Sequence, residues 1–274
     1  MGKYGFRRLV LKAGSRVKIP RTANVAISPN VLFIWIPKTA GTSVFNLLQN
    51  MGMGKYKSLD RARHIFPGRG MATFVHQSIP SLMEAGAITQ KYVEDSFKFS
   101  FLRNPYDRAV SLYYYFHRFQ RMSKEMSFVN FLEILEQEWE VNRTLKVPVE
   151  EELPDRVCYR GEWVAPTDHT LYPVGPYNVF GWSQCRPQSD WLQGVEGEIH
   201  LGRMENIDED CKVVLDKIFE MGAEELDKSL ELCTRPVPKA NTTPHGDYRE
   251  HYRDPALKRI VERVYQTDFE NFSY

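Results

Sequence analysis

Cysteine is scarce in this sequence, and the four cysteines, Cys158, Cys185, Cys211 and Cys233, lie more than twenty residues apart. None belongs to a CxxC pair, so we do not expect a structural zinc site. Four thiols in 274 residues are also too few for a disulfide framework. We expect reduced, mostly structural thiols, and leave open a bridge between Cys158 and Cys185.

Long hydrophobic runs are missing as well. The longest apolar run, Val31–Ile36, has the length of a strand, whereas a membrane span requires roughly 18 to 20 apolar residues. The first residues build no apolar segment of the kind found in a secretory signal. With 42% hydrophobic and 13% aromatic residues, the composition predicts a folded, soluble protein without an integral membrane segment.

Acidic residues are absent from residues 1–29, which contain seven Lys or Arg. The formal net charge is +1, so the rest of the chain is net acidic. We interpret residues 1–30 as a basic arm that forms a solvated tail. The alternatives are a transit peptide, or a basic lip for an anionic substrate or a membrane surface. A net acidic body disfavours nucleic acid as a partner, because binding phosphates requires a basic face.

Strand-like and helix-like segments alternate along the chain, which predicts an α/β protein with a mainly parallel central sheet flanked by helices. Four β-branched or aromatic runs predict strands, namely Val31–Ile36, Ala72–His76, Phe97–Leu102 and Glu198–Arg203. The first predicted helix follows Pro37–Ser43, with Thr42 or Ser43 as its N-cap and Gly52 at its end. The other predicted helices start at Pro105 after the N-cap Asn104, cover Phe128–Trp139, run through Val213 and Ile218, and cover Pro255–Tyr265.

The segment Pro37–Ser43 has the chemistry of an anion site. It joins a buried strand to a helix N-terminus, where free amide groups and the helix dipole favour negative charge. Gly41 lets the backbone approach an anion closely, Lys38 adds a positive charge, and Thr42 and Ser43 add hydroxyl groups. The segment is not a Walker loop, because the lysine precedes the glycine and no earlier glycine stands at the required spacing.

A second anion site is predicted where the third strand ends. Arg103 closes that strand, and Ser111 lies on the following helix, where we expect it to point away from the apolar face. A guanidinium fork and a hydroxyl both suit a phosphate group. Two such strand ends in one sheet predict a ligand with two separated phosphate-like groups.

Together these segments resemble a known family. IPKTAGTS followed by RNPYDRAVSLYYY resembles the pair of cofactor-binding motifs of the sulfotransferase superfamily. The variant is similar to the branch that contains heparan sulfate 2-O-sulfotransferase and the chondroitin and dermatan sulfotransferases. RMENIDED and YREHY…IVERVYQTDFENFSY resemble the closing segments of that branch. The likeness covers residues 31–122 and 198–274.

The resemblance implies a metal-free enzyme that moves a sulfuryl group from 3′-phosphoadenosine 5′-phosphosulfate (PAPS) to a hydroxyl or, less readily, an amine. It implies a fold related to nucleotide kinases, in one domain over 31–274. Residues 123–190 contain an irregular, Pro-rich stretch, and from this composition we expect them to form an insertion that binds the acceptor. The residues implied for the 5′-phosphosulfate are Lys38, Thr39, Ala40, Gly41, Thr42 and Ser43. Those implied for the 3′-phosphate are Arg103 and Ser111, while Lys239 and Asn241 are implied as further nucleotide contacts.

The catalytic residues that we predict are Lys38 and His76. Lys38 would neutralise the charge that grows on the bridging oxygen, and a histidine would accept the proton of the acceptor. In the resembling branch this base is a histidine after the first helix, and the sequence offers His64 and His76 there. We favour His76, because it ends a predicted strand and faces the crevice above the sheet. Arginines close in sequence would lower the pKa of His64.

Two other functions stay open at this point. An ATP-dependent small-molecule kinase would need the Walker spacing and a magnesium-binding acid, and neither is found. An inactive glycan-binding module on the same fold would not need the lysine, arginine and histidine that the motifs retain. The net acidic body fits poorly with a heavily sulfated polysaccharide, so we expect a small molecule or a simple glycan as acceptor. We expect a cytoplasmic location, or a Golgi-lumenal one if the sequence belongs to a longer chain.

Overall fold

The structure is a computed structural model that describes residues 30–50, 71–84, 88–119, 122–144, 157–159, 162–164, 182–221, 236–237, 240 and 245–274. Several predicted features lie outside these residues, namely the basic arm, Gly52, His64, Lys239 and Asn241.

Four parallel strands form the central sheet. The strands of the described chain are β1 (Val31–Trp35), β2 (Met71–Val75), β3 (Phe97–Leu102), β4 (Val157–Tyr159), β5 (Glu162–Val164) and β6 (Ile199–Arg203). The order in the sheet is β2-β1-β3-β6, while β4 and β5 pair as an antiparallel hairpin. All four predicted strands are present within one residue of their predicted bounds, and the predicted α/β class with a parallel sheet is confirmed.

The helices connect the strands and cover the sheet. They are α1 (Gly41–Asn50), α2 (Ile79–Glu84), α3 (Gln90–Glu94), α4 (Pro105–Arg118), α5 (Phe128–Thr144), α6 (Trp182–Cys185), α7 (Ile207–Glu220), α8 (Pro255–Val264) and α9 (Gln266–Phe272). Asn104 caps α4 as predicted, because its side chain accepts from the amides of Tyr106 and Asp107. Helix α1 begins at Gly41, so the predicted caps Thr42 and Ser43 are wrong.

Side chains of the two central strands alternate between the faces of the sheet. Val31, Phe33 and Trp35 pack with α1 and α7, whereas Leu32 and Ile34 pack with α2 and α3 on the other face. Because both faces are covered, nearly every residue of β1 and β3 is buried. The loops at the carboxyl ends of the strands are therefore the part of the sheet open to a ligand.

Helix α5 extends the core, although it lies in the segment that we predicted as an insertion. Phe131, Leu132 and Leu135 of this helix are fully buried, in a cluster with residues of α4 and α8. Cys185 at the end of α6 is a buried free thiol, so the bridge to Cys158 that the sequence left open is not formed. None of the helices in the described residues has the length and apolar composition needed to cross a membrane.

Candidate functional site

The loop after β1 has an unusual backbone. Lys38 and Ala40 both adopt positive φ angles, 68° and 62°, which are uncommon for residues other than glycine. Thr39 between them is buried, and its hydroxyl donates to the carbonyl oxygen of Ile36 at 3.0 Å. Left-handed residues in such a loop turn successive N–H groups toward one point, and concavities of this kind bind anions. The loop thus has a backbone conformation that suits an anion, as well as a lysine.

Gly41 is needed here for packing. A Cβ atom at this position would lie 1.9 Å from Nε1 of Trp35, so the indole ring occupies the space that a side chain would take. Trp35 ends β1 and stacks on Phe45 of α1, with 5.3 Å between the ring centroids. The close approach of this indole fixes where α1 begins relative to the strand.

Arg103 at the end of β3 contacts this loop directly. Its Nη1 donates to the carbonyl oxygen of Lys38 at 3.2 Å, and its Nε donates to Oδ2 of Asp107 at 2.8 Å. Its Nη2 lies 3.3 Å from Nε2 of His245. The side chain of Arg103 is only 7% exposed. The two predicted anion sites are therefore adjacent at one edge of the sheet.

The backbone of Arg103 is held by a buried amide. Oε1 of Gln188 accepts from the amide of Arg103 at 2.9 Å, and Nε2 of Gln188 donates to the carbonyl oxygen of Arg103 at 2.9 Å. Asp268 of α9 in turn accepts from the backbone amides of Gln188 and Ser189, both at 2.8 Å. Gln188 and Asp268 are fully buried. The last helix thus fixes the position of the arginine.

Sequence reasoning missed the role of Asp268, although the sequence contains a signal. Asp268 lies one helical turn before the buried Phe272, so the helical period places an acid on the buried face of α9. A buried carboxylate is expected only where it is paired or hydrogen-bonded.

We predict that Asp268→Asn lowers the free energy of unfolding by about 3 kcal/mol. The substitution removes the charge and replaces one of the two accepting oxygens by an NH2 group, so one buried backbone amide faces a donor and loses its acceptor. Urea denaturation measures the change. The matched control is Glu270→Gln on the same helix, since Glu270 is exposed and accepts from the side chain of Gln266 at 2.7 Å. The control should change stability by less than about 0.5 kcal/mol. Equal losses in both variants would contradict a special role for Asp268.

Lys38 lies in a crowded, positively charged environment. Its Nζ is 4.5 Å from the ring centroid of Tyr115, a cation–π contact. Burial, assisted by the charges of Arg103 and Arg118, lowers the pKa of Lys38 to about 7. An excess of buried positive charge of this kind favours the binding of an anion.

His76 follows β2 directly and is half-buried at the same edge of the sheet. In the register of the sheet Val75 pairs with Trp35, so His76 lies level with the start of the loop that contains Lys38. Its φ angle is 55°, a strained value for a histidine. The imidazole lies edge-on to Trp35 and to Trp191, each at 6.3 Å between ring centroids. His76 is thus held between two indoles.

Two further predicted positions are the segment around Ala240 and the helix residue Ser111. The amide of Ala240 donates to Oγ of Ser43 at 3.0 Å, so the segment between the predicted contacts Lys239 and Asn241 reaches the loop. Ser111 is 2% exposed although the helical period places it on the side of α4 opposite Ala109 and Phe116, so this side of the helix is buried as well. Helix α4 packs against both α5 and α8, so its buried surface is wider than one apolar stripe.

Arg108 is a further residue that the sequence analysis missed. It is fully buried, and its Nε and Nη2 donate to the carbonyl oxygens of Pro37 and Gln184 at 3.1 and 2.9 Å. Its guanidinium also lies over the ring of Tyr265, at 5.4 Å. The helical period places Arg108 one turn before the buried Leu112, which was the available signal. Arg108 links the first residue of the loop to α6 and α8.

A parallel sheet with a lysine-containing loop after one strand and a buried arginine after its neighbour is an arrangement that suits phosphate or sulfate esters. The model of the sulfotransferase family matches residues 21–155, just under half of the chain. The match does not select a branch of the family, so the heparan and chondroitin branch stays a prediction. No curated protein sequence matches the chain.

Solved sulfotransferase structures are similar to the chain at low identity. Mouse sulfotransferase SULT7A1, complexed with PAP, is 13% identical with a TM-score of 0.45, over 90% of this chain and 86% of that one. Retinol dehydratase, in a complex with retinol and PAP, is 11% identical with a TM-score of 0.43, over 89% and 82%. A sulfotransferase from Alicyclobacillus acidocaldarius is 18% identical with a TM-score of 0.31, over 86% and 95%. At such scores the likeness supports no statement about binding or catalysis.

Proposed function

We propose that the protein is a sulfotransferase that uses PAPS and transfers the sulfuryl group to a hydroxyl of a small molecule or a simple glycan. The observation that carries the proposal is the contact between Arg103 and the carbonyl oxygen of Lys38, within the part of the chain that matches the family. This contact makes one continuous site of two cationic strand ends. A nucleotide with phosphate groups at its 3′ and 5′ positions has the two separated anions that such a site requires.

The residues of the loop fit the 5′ end of this nucleotide. Amide groups beside the positive φ angles of Lys38 and Ala40 would bind its oxygen atoms, together with the hydroxyl groups of Thr42 and Ser43. PAPS, when bound, supplies the sulfuryl group and a good leaving group, 3′,5′-adenosine bisphosphate (PAP). Lys38 would stabilise the charge on the oxygen that bridges phosphorus and sulfur as the S–O bond breaks.

His76 would act on the acceptor. Its imidazole would accept the proton of the hydroxyl while the new S–O bond forms, so the acceptor gains the sulfuryl group and loses one proton. Trp35 and Trp191 beside the ring would restrict its orientation and keep water away. Binding and orientation supply most of the rate enhancement in transfers of this kind.

Ligand binding distinguishes the proposal from its alternatives. PAP should raise the melting temperature of the protein more than ATP with magnesium does, and calorimetry should give a single site. A preference for ATP with magnesium would favour the kinase. Incubation with isotope-labelled PAPS and a panel of alcohols, phenols, amines and simple glycans, read by mass spectrometry, would then identify the acceptor. Binding of PAP without transfer to any of them would favour the inactive module.

We predict that Arg103→Ala raises the KM for PAPS by about tenfold to a hundredfold and lowers kcat much less. Its charge-assisted contacts with the nucleotide would be equal in the ground state and the transition state. Steady-state kinetics and calorimetry with PAP measure the two effects. The control is Arg263→Ala on α8, an exposed arginine that pairs with Glu136. Unchanged affinity for PAP in the Arg103 variant would show that the 3′-phosphate binds elsewhere.

A further inference from the structure

His245 lies in the predicted 3′-phosphate site, although no motif pointed to it. Its Nε2 is 3.3 Å from Nη2 of Arg103 and 3.8 Å from Oδ1 of Asp107. Its ring stacks on Tyr114, with 5.7 Å between the centroids and 19° between the planes. The side chain is 12% exposed. The imidazole is thus fixed beside the arginine and remains accessible to a small ligand.

The hydrogen bonds define the protonation of His245 in this arrangement. Nδ1 lies 3.0 Å from the carbonyl oxygen of Gly246, and a carbonyl can only accept, so Nδ1 carries a proton. Nε2 faces a guanidinium that can only donate, so in this contact Nε2 accepts and the ring is neutral. Protonation of Nε2 would break this hydrogen bond and place two cations side by side.

A bound phosphate monoester would instead favour the protonated imidazole of His245. Such a group carries a charge of about −1.5 to −2 at pH 7. Arg103 offers one positive charge, which the carboxylate of Asp107 already partly neutralises at 2.8 Å. A dianion bound at Arg103 would therefore lack positive charge. Within the part of the chain that the structure describes, the imidazole of His245 contacts Arg103 and can supply this charge. A protonated Nε2 would donate to a phosphate oxygen.

We propose that His245 is a further ligand of the 3′-phosphate and takes up a proton when that phosphate binds. The inference rests on the proposed function, since it needs a nucleotide with a 3′-phosphate. The charged and titratable groups around the imidazole come from three parts of the fold. They are Arg103 after β3, Asp107 and Tyr114 of α4, and Asp247, Glu250 and His251 of its own segment.

Proton uptake fixes the sign of the pH dependence. If the complex holds one more proton than the free protein and the free nucleotide together, affinity for PAP falls as pH rises. This holds above about pH 6, because the phosphate groups of the free nucleotide take up protons themselves near that value. The fall is at most tenfold per pH unit for one proton. Lys38 adds its own response, because an anion near its ammonium group also favours the charged form. That response belongs to the 5′ end of the nucleotide and is the same with or without a 3′-phosphate.

The test is calorimetry with PAP and with adenosine 5′-monophosphate (AMP), between about pH 7 and pH 8.5, where the phosphate groups of both nucleotides are mainly dianions, in buffers of different ionisation enthalpy. We expect the binding of PAP to the unmodified protein to take up more protons than the binding of AMP does. In His245→Gln the number of protons taken up should be equal for the two nucleotides. At the lowest pH this variant should bind PAP about tenfold more weakly, and at the highest pH nearly as well as the unmodified protein. His117→Gln is the matched control, since this imidazole contacts the carbonyl oxygen of Met126.

The possible outcomes separate the two proposals. Equal proton uptake for PAP and AMP in the unmodified protein, or an excess for PAP that persists in His245→Gln, would overturn the role of His245 and leave the proposed function intact. Failure of both nucleotides to bind at any pH would overturn the proposed function, and this inference with it. Thermal melting of His245→Gln and of a second variant, His245→Asn, shows whether a loss of affinity reflects misfolding. If both variants are folded and neither takes up more protons with PAP than with AMP, the result supports the proposal.

Discussion

Lys38→Met should lower kcat by about a hundredfold to a thousandfold, because a preorganised charge contact at a leaving group contributes about 3 to 4 kcal/mol to transition-state stabilisation. Methionine keeps an apolar side chain of similar length and removes the charge that lies over the ring of Tyr115. Assays at saturating PAPS and acceptor measure kcat. Lys124→Met, at an exposed position, is the control. A Lys38 variant with nearly normal turnover would remove this lysine from the chemical step.

The same substitution should raise stability at pH 6. The pKa of Lys38 is lowered to about 7 in the folded protein, from about 10.4 in an unfolded chain. Between these two values the unfolded state binds more protons, so the free energy of unfolding of the natural protein rises with pH in that window. Below it the buried ammonium group destabilises the fold in full, and methionine removes this cost. Thermal melting at about pH 6 and pH 9 should show a stabilisation that is larger at the lower pH.

The lowered pKa of Lys38 also predicts how kcat/KM for PAPS depends on pH. The ratio kcat/KM for PAPS reports the free protein, in which Lys38 loses its charge above about pH 7. This ratio should therefore fall as pH rises above neutrality, and the fall should be smaller in Lys38→Met, where only the contribution proposed for His245 remains. A variant that keeps the same fall would assign it to another group.

The sheet could be predicted because its strands are short apolar runs bounded by polar turns. Val31–Trp35 and Phe97–Leu102 are buried on both faces, so their composition shows the strand without ambiguity. The start of α1 could not be predicted, since it depends on the positive φ angle of Ala40. Nothing in the residue type alanine indicates that conformation, which the surrounding loop imposes.

The meeting of Lys38 and Arg103 could be predicted for a topological reason. Both residues follow parallel strands, and the carboxyl ends of parallel strands share one edge of the sheet. The residues that support Arg103 could not be predicted in this way. Gln188 is 85 positions away in sequence and His245 is 142, and their contacts depend on how the C-terminal segments fold back over the sheet. Such contacts leave no periodic pattern in the sequence.

His76→Ala should lower the rate of transfer about a hundredfold or more and leave the affinity for PAP unchanged. A general base contributes about that factor, and His76 is proposed to contact the acceptor proton and not the nucleotide. The strand-end position of His76, level with the loop of Lys38, motivates the prediction. A base must be neutral to act, so the rate of the natural protein should climb with pH and level off above the pKa of the base. For an ordinary histidine this pKa is about 6.5. The substitution should abolish this rise.

His64→Ala is the control for the choice between the two histidines, and we expect it to keep the rise of the rate with pH. If His64→Ala erases the rise while His76→Ala leaves it in place, the base is His64. If both variants keep it, Asp190 becomes the leading candidate for the base, because it adjoins Trp191 and burial raises its pKa to about 6, against the effect of Arg186. Asp190→Asn would then have to remove the rise. Retention of full activity in all three variants would favour an amine acceptor, since a neutral amine requires little assistance from a base.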